Sequence, residues 1–275
     1  MSSKTESKLN KLVYAVISSS KYKRVSPEFI ALIGSEELKK HRNIKTAIKS
    51  TKNKLHQVGG AYSNYRKNNY SAWLKELKKV SLSNNDEEIR TTCINIMEYH
   101  LSTKERVPVL NQFYSTILSE IPSARSILDI ACGLNPLSIP WMQLESNVQY
   151  YACDIYQDMM AFINGFFEVF NISGKAMVCD IIQSYPIEKN IDVDIVFAFK
   201  ILPCIDQIEK GAAIRVLEKL NTRYIAVSFP IQSMSGRNKG MTTNYDVRFK
   251  KMLTDKNWSF NLYKFTSEIV FLIKK

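Results

Sequence analysis

The rhythm of hydrophobic and polar positions changes once along the chain. Up to about residue 105, apolar residues recur at three- and four-residue intervals, the spacing of amphipathic helices. Leu12, Val13, Val16 and Ile17 form one such face. Ser26 before Pro27-Glu28 marks a second helix, with serine as N-cap and proline in the first turn. Ile44, Ala47, Ile48, Lys52 and Leu55 predict a third, ended near Gly59-Gly60. Polar, turn-rich residues 64–70 follow. Trp73, Leu74 and Leu77 predict a short fourth helix, and Asp86-Glu87-Glu88 opens a fifth through Ile94, Met97 and Tyr99. Beyond this point short β-branched runs alternate with helical stretches, the pattern of a parallel α/β sheet. Strands are predicted at 126–131, 149–155, 176–181, 194–199 and 223–229, with helical segments at 136–145, 156–171 and 206–220. Residues 258–265 and 268–273 predict a closing strand pair, close enough for a hairpin. The expected fold class is α/β, a Rossmann-like domain over 106–275 preceded by a helical domain over 1–105.

Charge sharpens this division. The 275 residues carry a net charge of +12. Residues 1–105 hold 20 Lys+Arg against 10 Asp+Glu, whereas residues 106–275 hold 18 against 16. A basic helical part beside a nearly neutral sheet suggests a polyanionic partner, nucleic acid or an anionic membrane, although a lysine-rich soluble face gives the same count. No apolar run approaches twenty residues, and the polar start MSSKTESKLNK has no signal core, so a cytoplasmic protein is expected. The five cysteines are scattered without a CxxC pair, which argues against structural zinc and a disulfide framework.

The candidate chemistry lies at strand ends. Asp129 closes the first strand and Gly133 follows in D-I-A-C-G, where a missing Cβ permits close backbone approach to a ligand. The full GxGxxG is absent, which argues against a pyrophosphate and for a phosphate-free cofactor. Asp154 ends the second strand, 25 residues after Asp129, placed to accept from both ribose hydroxyls. Asp180 ends the third, placed for an adenine amino group. Each aspartate also reads as a helix cap. Three in succession favour an adenosyl ligand. Phe199 and Lys200 end the fourth strand; Lys200 reads as a contact to a cofactor carboxylate or an RNA phosphate, or as a solvated strand-end lysine. In His100-Leu-Ser102-Thr103-Lys-Glu105-Arg106, hydroxyls and a guanidinium suit a carboxylate, while Ser102 and Glu105 also fit a capping box. His100 has no second ligand at metal spacing. After the fifth strand, 228–241 is a long polar loop bearing Arg237 and Lys239, placed to overhang the reaction centre.

The segments HLSTKER, DIACGLNPLSIPWM, FKILP, SFPIQSMSGRNKGM…NY and the basic LHQVGGAY together resemble the aminoglycoside-resistance 16S rRNA (guanine-N7)-methyltransferases, from about Lys21 to the end of the chain. The lysine-rich, longer amino end departs from some members. The resemblance implies a Rossmann-like S-adenosylmethionine-dependent methyltransferase domain behind a helical rRNA-binding domain. It implies methyl transfer to the decoding-site guanine (guanine 1405) of the 30S subunit, which gives aminoglycoside resistance. Cofactor contacts are implied for Tyr62, His100, Leu101, Ser102, Arg106, Ala131, Gly133, Asp154, Asp180 and Ile181, with Phe199 and Lys200 beside the methyl. Lys21, Lys52, Lys54, Arg237 and Lys239 are implied to grip rRNA, and Met241 and Tyr245 to hold the target base. No metal, no membrane and a monomer are expected. Guanine N7 has no proton to lose, so positioning rather than a general base is expected to carry catalysis. Methylation of another position, such as adenine N1, or a non-catalytic ribosome-binding protein are the alternatives. Mapping the modified base separates the first, and cofactor binding the second. A small-molecule methyltransferase leaves the basic first part without a purpose.

Overall fold

The computed structural model describes residues 3–60, 68–83, 85–121, 124–184, 192–231 and 241–275. Its first half is helical: α1 (Ser3–Ile17), α2 (Pro27–Lys40), α3 (Ile44–Leu55), α4 (Tyr70–Ser81), α5 (Asp86–Met97), α6 (Leu101–Arg106) and α7 (Leu110–Ser119). The starts follow local chemistry. The Ser26 hydroxyl accepts the Phe29 N–H at 3.3 Å, and Asn43, Asn69 and Asn85 cap α3, α4 and α5 in the same way. A single π-type turn, His56–Gly60, ends α3.

The second half is a seven-stranded sheet built from β1 (Ser126–Ile130), β2 (Gln149–Asp154), β3 (Gly174–Val178), β4 (Val193–Phe199), β5 (Thr222–Pro230), β6 (Ser259–Lys264) and β7 (Glu268–Lys274), in the order β3-β2-β1-β4-β5-β7-β6. The first five strands are parallel, and the predicted β6–β7 hairpin joins β5 antiparallel. Strand order reverses between β1 and β4, where open α/β sheets place ligands at the carboxyl ends. Helices α8 (Gln157–Val169), α9 (Leu202–Ile208), α10 (Ala212–Lys219) and α11 (Met241–Asp255) complete the layers.

Several boundaries differ from expectation for local reasons. The third strand lies earlier than 176–181, because the Asn164 amide brackets Ala176 with two 2.8 Å bonds and the chain turns at Asp180. Residues 136–145 form a 3-10 helix over Asn135–Trp141, where Pro136 and Pro140 lack the N–H groups of a regular α-helix. Residues 206–220 are not one helix; α9 starts earlier, and Gly211, at φ 78°, separates it from α10. The fifth helix stops at Met97, two residues before Tyr99. Helix α11 was not foreseen: its first half, MTTNYD, has no continuous apolar face.

Helices and sheet share an apolar core. Leu12, Ile30 and Leu77 belong to the same buried cluster as Ile127, Tyr150 and Phe197. Trp73 and Tyr70 on α4 pack on Phe162 of α8, with ring centroids 5.9 and 5.1 Å away, and Tyr99 lies 4.9 Å from Trp73. Leu74 presses on Gly165, where a Cβ would stand 2.8 Å from its methyl carbon. A second join is backbone: Val25 bridges Tyr156, with Ser26 N donating to Ile155 O at 2.8 Å and Gln157 N to Arg24 O at 2.9 Å. Trp73→Ala is therefore expected to cost about 3–5 kcal/mol of stability, and Tyr14→Ala at an exposed position no more than about 0.5 kcal/mol; guanidinium unfolding followed by circular dichroism measures both.

Candidate active site

The carboxyl ends of β1, β2 and β4 open into a cavity whose wall mixes apolar side chains with a few polar ones, the make-up of a small-molecule site. Ala131 and Gly133 turn the chain after β1 with φ values of 50° and 54°. At Gly133 a side chain is excluded twice over, by the backbone angle and by the His100 ring, whose Cε1 would lie 2.7 Å from a Cβ. The Gly133 N–H donates to Asp154 Oδ2 at 3.0 Å, and Ile155 N–H to Oδ1 at 2.7 Å. Burial raises the Asp154 carboxyl to about 6 against these bonds. Burial likewise raises Asp129 to about 7, although Asn135 Nδ2 and the Tyr150 hydroxyl both donate to its Oδ2, at 2.8 and 2.9 Å.

A buried polar network crosses the floor of the cavity. Arg106 ends α6 and grips Glu268, the first residue of β7, with Nε to Oε1 at 2.8 Å and Nη2 to Oε2 at 2.9 Å. Its Nη1 donates to Asn135 Oδ1 at 2.6 Å, and the Tyr114 hydroxyl donates to the same oxygen at 2.6 Å. The guanidinium packs against the edge-to-face Phe113–Phe199 pair, 4.6 and 4.5 Å from the two ring centroids. Lys200 is the second buried cation, so it is not a solvated strand-end lysine. It takes a left-handed φ of 58°, held by its N–H on the Ser228 carbonyl (3.0 Å). Its ammonium donates to Glu105 Oε2 at 2.7 Å and lies 3.6 Å from Glu268 Oε1. Burial opposes ionisation of Glu268, but Arg106 and Lys200 hold its carboxyl below the usual range. Burial, with Lys200 and Arg106 adding to it, lowers His100 to about 4, so the imidazole is neutral at pH 7.

Of the residues singled out in the sequence, His100, Ser102, Arg106, Ala131, Asp154, Ile181, Phe199 and Lys200 border this cavity together. Leu101, Gly133 and Asp180 are not part of its wall. The Asp180 carboxylate turns onto its own chain, accepting from Ile182 N at 3.0 Å and Gln183 Nε2 at 2.9 Å, as a capping aspartate does. The Ser102–Glu105 capping box does not form. The helix begins at Leu101 with His100 at the cap position, Ser102 sits inside it, and Glu105 reaches Lys200 instead. The Thr103 hydroxyl instead holds the carbonyls of Met97 and His100, at 2.6 and 3.0 Å. Tyr62, Arg237 and Lys239 lie outside the described residues, as do the side chains of Met241 and Tyr245 on α11.

The structure adds residues that had no mark in the sequence reading. Glu268 is 162 positions from its partner Arg106. Asn135, inside the DIACGLNP segment, joins Arg106 to Asp129. Ile182, Ile205 and Ile208 form an apolar side, and Phe29 and Val58 close it from the helical half. Among the basic candidates, Lys21 is exposed, with Nζ 2.9 Å from His56 Nδ1. Lys52 is partly buried, and its carbonyl accepts the Tyr22 hydroxyl at 2.8 Å. Lys54 pairs with Glu37 at 3.2 Å.

Known proteins are similar to this chain along nearly its whole length. A family model described as ribosomal RNA methyltransferase (FmrO) matches residues 18–272. A 16S rRNA (guanine(1405)-N(7))-methyltransferase of Serratia marcescens is 31% identical, covering 97% of this chain and 98% of its own. One of the same name from Micromonospora rosea is 30% identical, covering 98% of each. Among solved structures, the 16S rRNA methyltransferase RmtF in complex with S-adenosyl-L-homocysteine is similar at a TM-score of 0.82 and 25% identity, over 100% of this chain and 99% of that one. An rRNA methylase from Escherichia coli gives 0.77 and 28%, over 97% and 99%. The chain belongs to the FmrO family of ribosomal RNA methyltransferases.

Proposed function

We propose that this S-adenosylmethionine-dependent enzyme methylates N7 of guanine 1405 in the 16S rRNA of the 30S subunit. The observation that carries this reading is likeness along almost the full chain to enzymes of that name, helical half included. No helix among the described residues is long and apolar enough to cross a membrane, and the reading places the protein in the cytoplasm with the ribosome.

The cavity fits the cofactor by its own chemistry. Asp154 offers a carboxylate at the end of β2 for two ribose hydroxyls. Ile181, Ile182, Ile205 and Ile208 offer apolar wall for adenine. Of the five N–H groups of Arg106, three are taken by Glu268 and Asn135, leaving two for the carboxylate, with Ser102 in the same cavity wall. Gly133 makes room at the turn and fixes the Asp154 carboxylate through its N–H. When bound, S-adenosylmethionine supplies a methyl already activated by a sulfonium. Phe199 and Lys200 stand at the β4 end, where the target base arrives.

Guanine N7 attacks with a free lone pair, so the protein has no proton to remove at that atom. The neutral His100 and the paired Lys200 accordingly have no base role, and alignment carries the rate. The helical half docks on phosphates and the base is turned out to reach the cavity. Arg237, Lys239, Met241 and Tyr245 are assigned to the RNA side of this contact. The new N7 methyl leaves a fixed positive charge in the decoding site, which repels cationic aminoglycosides.

Incubation with 30S subunits and radiolabelled S-adenosylmethionine is expected to label one base, cleavable as N7-methylguanine; label at an adenine, or none, overturns the assignment. The raised carboxyl of Asp154 gives a second expectation. Affinity for S-adenosylhomocysteine should fall as pH drops from 8 through about 6, because the protonated acid loses acceptor strength. Asp154→Asn should bind weakly and lose the step near 6, keeping only what Asp129 contributes near 7. Titration calorimetry from pH 5 to 8 decides this, and a flat profile for the unaltered protein removes Asp154 from the ribose role.

A further inference from the structure

Away from the cavity, a buried carboxylate is ringed by cations. Glu37, in the last turn of α2, is 3% exposed at its side chain. Its Oε2 accepts the Ser50 hydroxyl at 2.5 Å, and its Oε1 holds Lys40 Nζ at 3.0 Å and Lys54 Nζ at 3.2 Å. His41 Nε2 stands 3.5 Å from Oε2. Burial opposes ionisation here, yet the Ser50 and lysine bonds pull the carboxyl down to about 2. Two ammonium groups on one oxygen lie no more than about 6 Å apart, and both remain accessible, at 54% and 22%. One carboxylate cannot neutralise two lysines, so the group keeps a net positive charge. The chain that carries it is basic: residues 38–60 contain seven Lys and Arg, Lys40 and Lys54 included, and not one Asp or Glu.

We propose that Lys40 and Lys54 form a preset phosphate clamp for rRNA, with Glu37 as the residue that positions it. This rests on the rRNA-docking reading above. A free lysine loses rotamer freedom when it binds a phosphate. Here that ordering is made within the folded protein, and each ammonium keeps N–H groups for an incoming phosphate oxygen. Glu37 sits between α2 and α3 and sets the spacing of the pair. It touches no RNA itself.

The positioning role and a simple field effect predict opposite signs for one variant. Glu37→Gln adds one net positive charge, so a field effect tightens RNA binding, whereas a lost clamp weakens it. Filter binding of 30S subunits across a salt series, with a thermal melt of each variant, reads the difference. Lys40→Met and Lys54→Met are each expected to weaken binding roughly three- to tenfold and to lower the salt slope by about one. Affinity for S-adenosylhomocysteine should stay unchanged, since neither lysine lines the cavity. Glu37→Gln should weaken 30S binding as well, with the Lys40→Met result standing alone if that variant fails to fold. Tighter binding by a folded Glu37→Gln, or unchanged affinity and slope in both lysine variants, overturns the clamp. An unaltered protein that neither binds nor methylates 30S overturns the function reading itself.

Discussion

The Arg106–Glu268 pair is the constraint on which the site depends. Both side chains are almost fully buried, at 1% and 0% exposure. Taking an isolated ion pair out of water costs several kcal/mol per charge, so such a pair persists only when its remaining donors and acceptors are filled. Here they are. The fork is bidentate, Asn135 takes a third N–H, the Phe113 and Phe199 rings pack against the guanidinium, and Lys200 stands near Glu268. The pair joins four pieces of chain: the end of α6, the start of β7, the 3-10 turn after β1, and the end of β4. Losing either partner leaves a buried unpaired charge, which costs far more than the pair contributes. The network therefore acts as a spacer that sets the cavity floor.

That rigidity matches the chemistry. A reaction that needs no proton transfer at the nucleophile gains little from a tuned base and much from fixed distances, because small misplacement of reacting atoms costs large factors in rate. The perturbed groups in the cavity fit this view. His100 is held neutral by burial and two nearby cations, and the carboxyls of Asp129 and Asp154 are raised by burial against hydrogen bonds from their own neighbours. These shifts follow from packing polar groups tightly around a ligand site. Phe29 and Val58 show that the helical half also shapes that site, and the Val25–Tyr156 bridge binds it to the loop after Asp154. The helical half and the sheet are thus set in one frame.

What the sequence made legible was local. Alternating β-branched runs placed all seven strands, and the Asp-then-Gly turn at 129–133 and the acid at 154 marked the cavity. These signals lie within a few residues of the features they specify. The misses have the opposite character. Glu268 begins a terminal strand with nothing beside it to suggest a partner 162 residues away. Ser102 and Glu105 have capping-box spacing, yet the helix starts at Leu101 and Glu105 is claimed by Lys200, a contact between residues 95 positions apart.

The same distinction governs the charges. A count of lysines identifies the helical half as basic, and the count alone treats Lys21, Lys52 and Lys54 alike. The fold separates them. Lys21 is exposed beside His56, Lys52 is partly buried, and Lys54 shares a carboxylate with Lys40. Net charge decides how strongly a polyanion is drawn from a distance, and the field of the whole domain carries that. Where a phosphate comes to rest depends instead on which ammonium groups are already held at a fixed spacing. An acid inside a basic surface, which lowers the net charge, therefore strengthens a specific contact when its burial orders the cations around it.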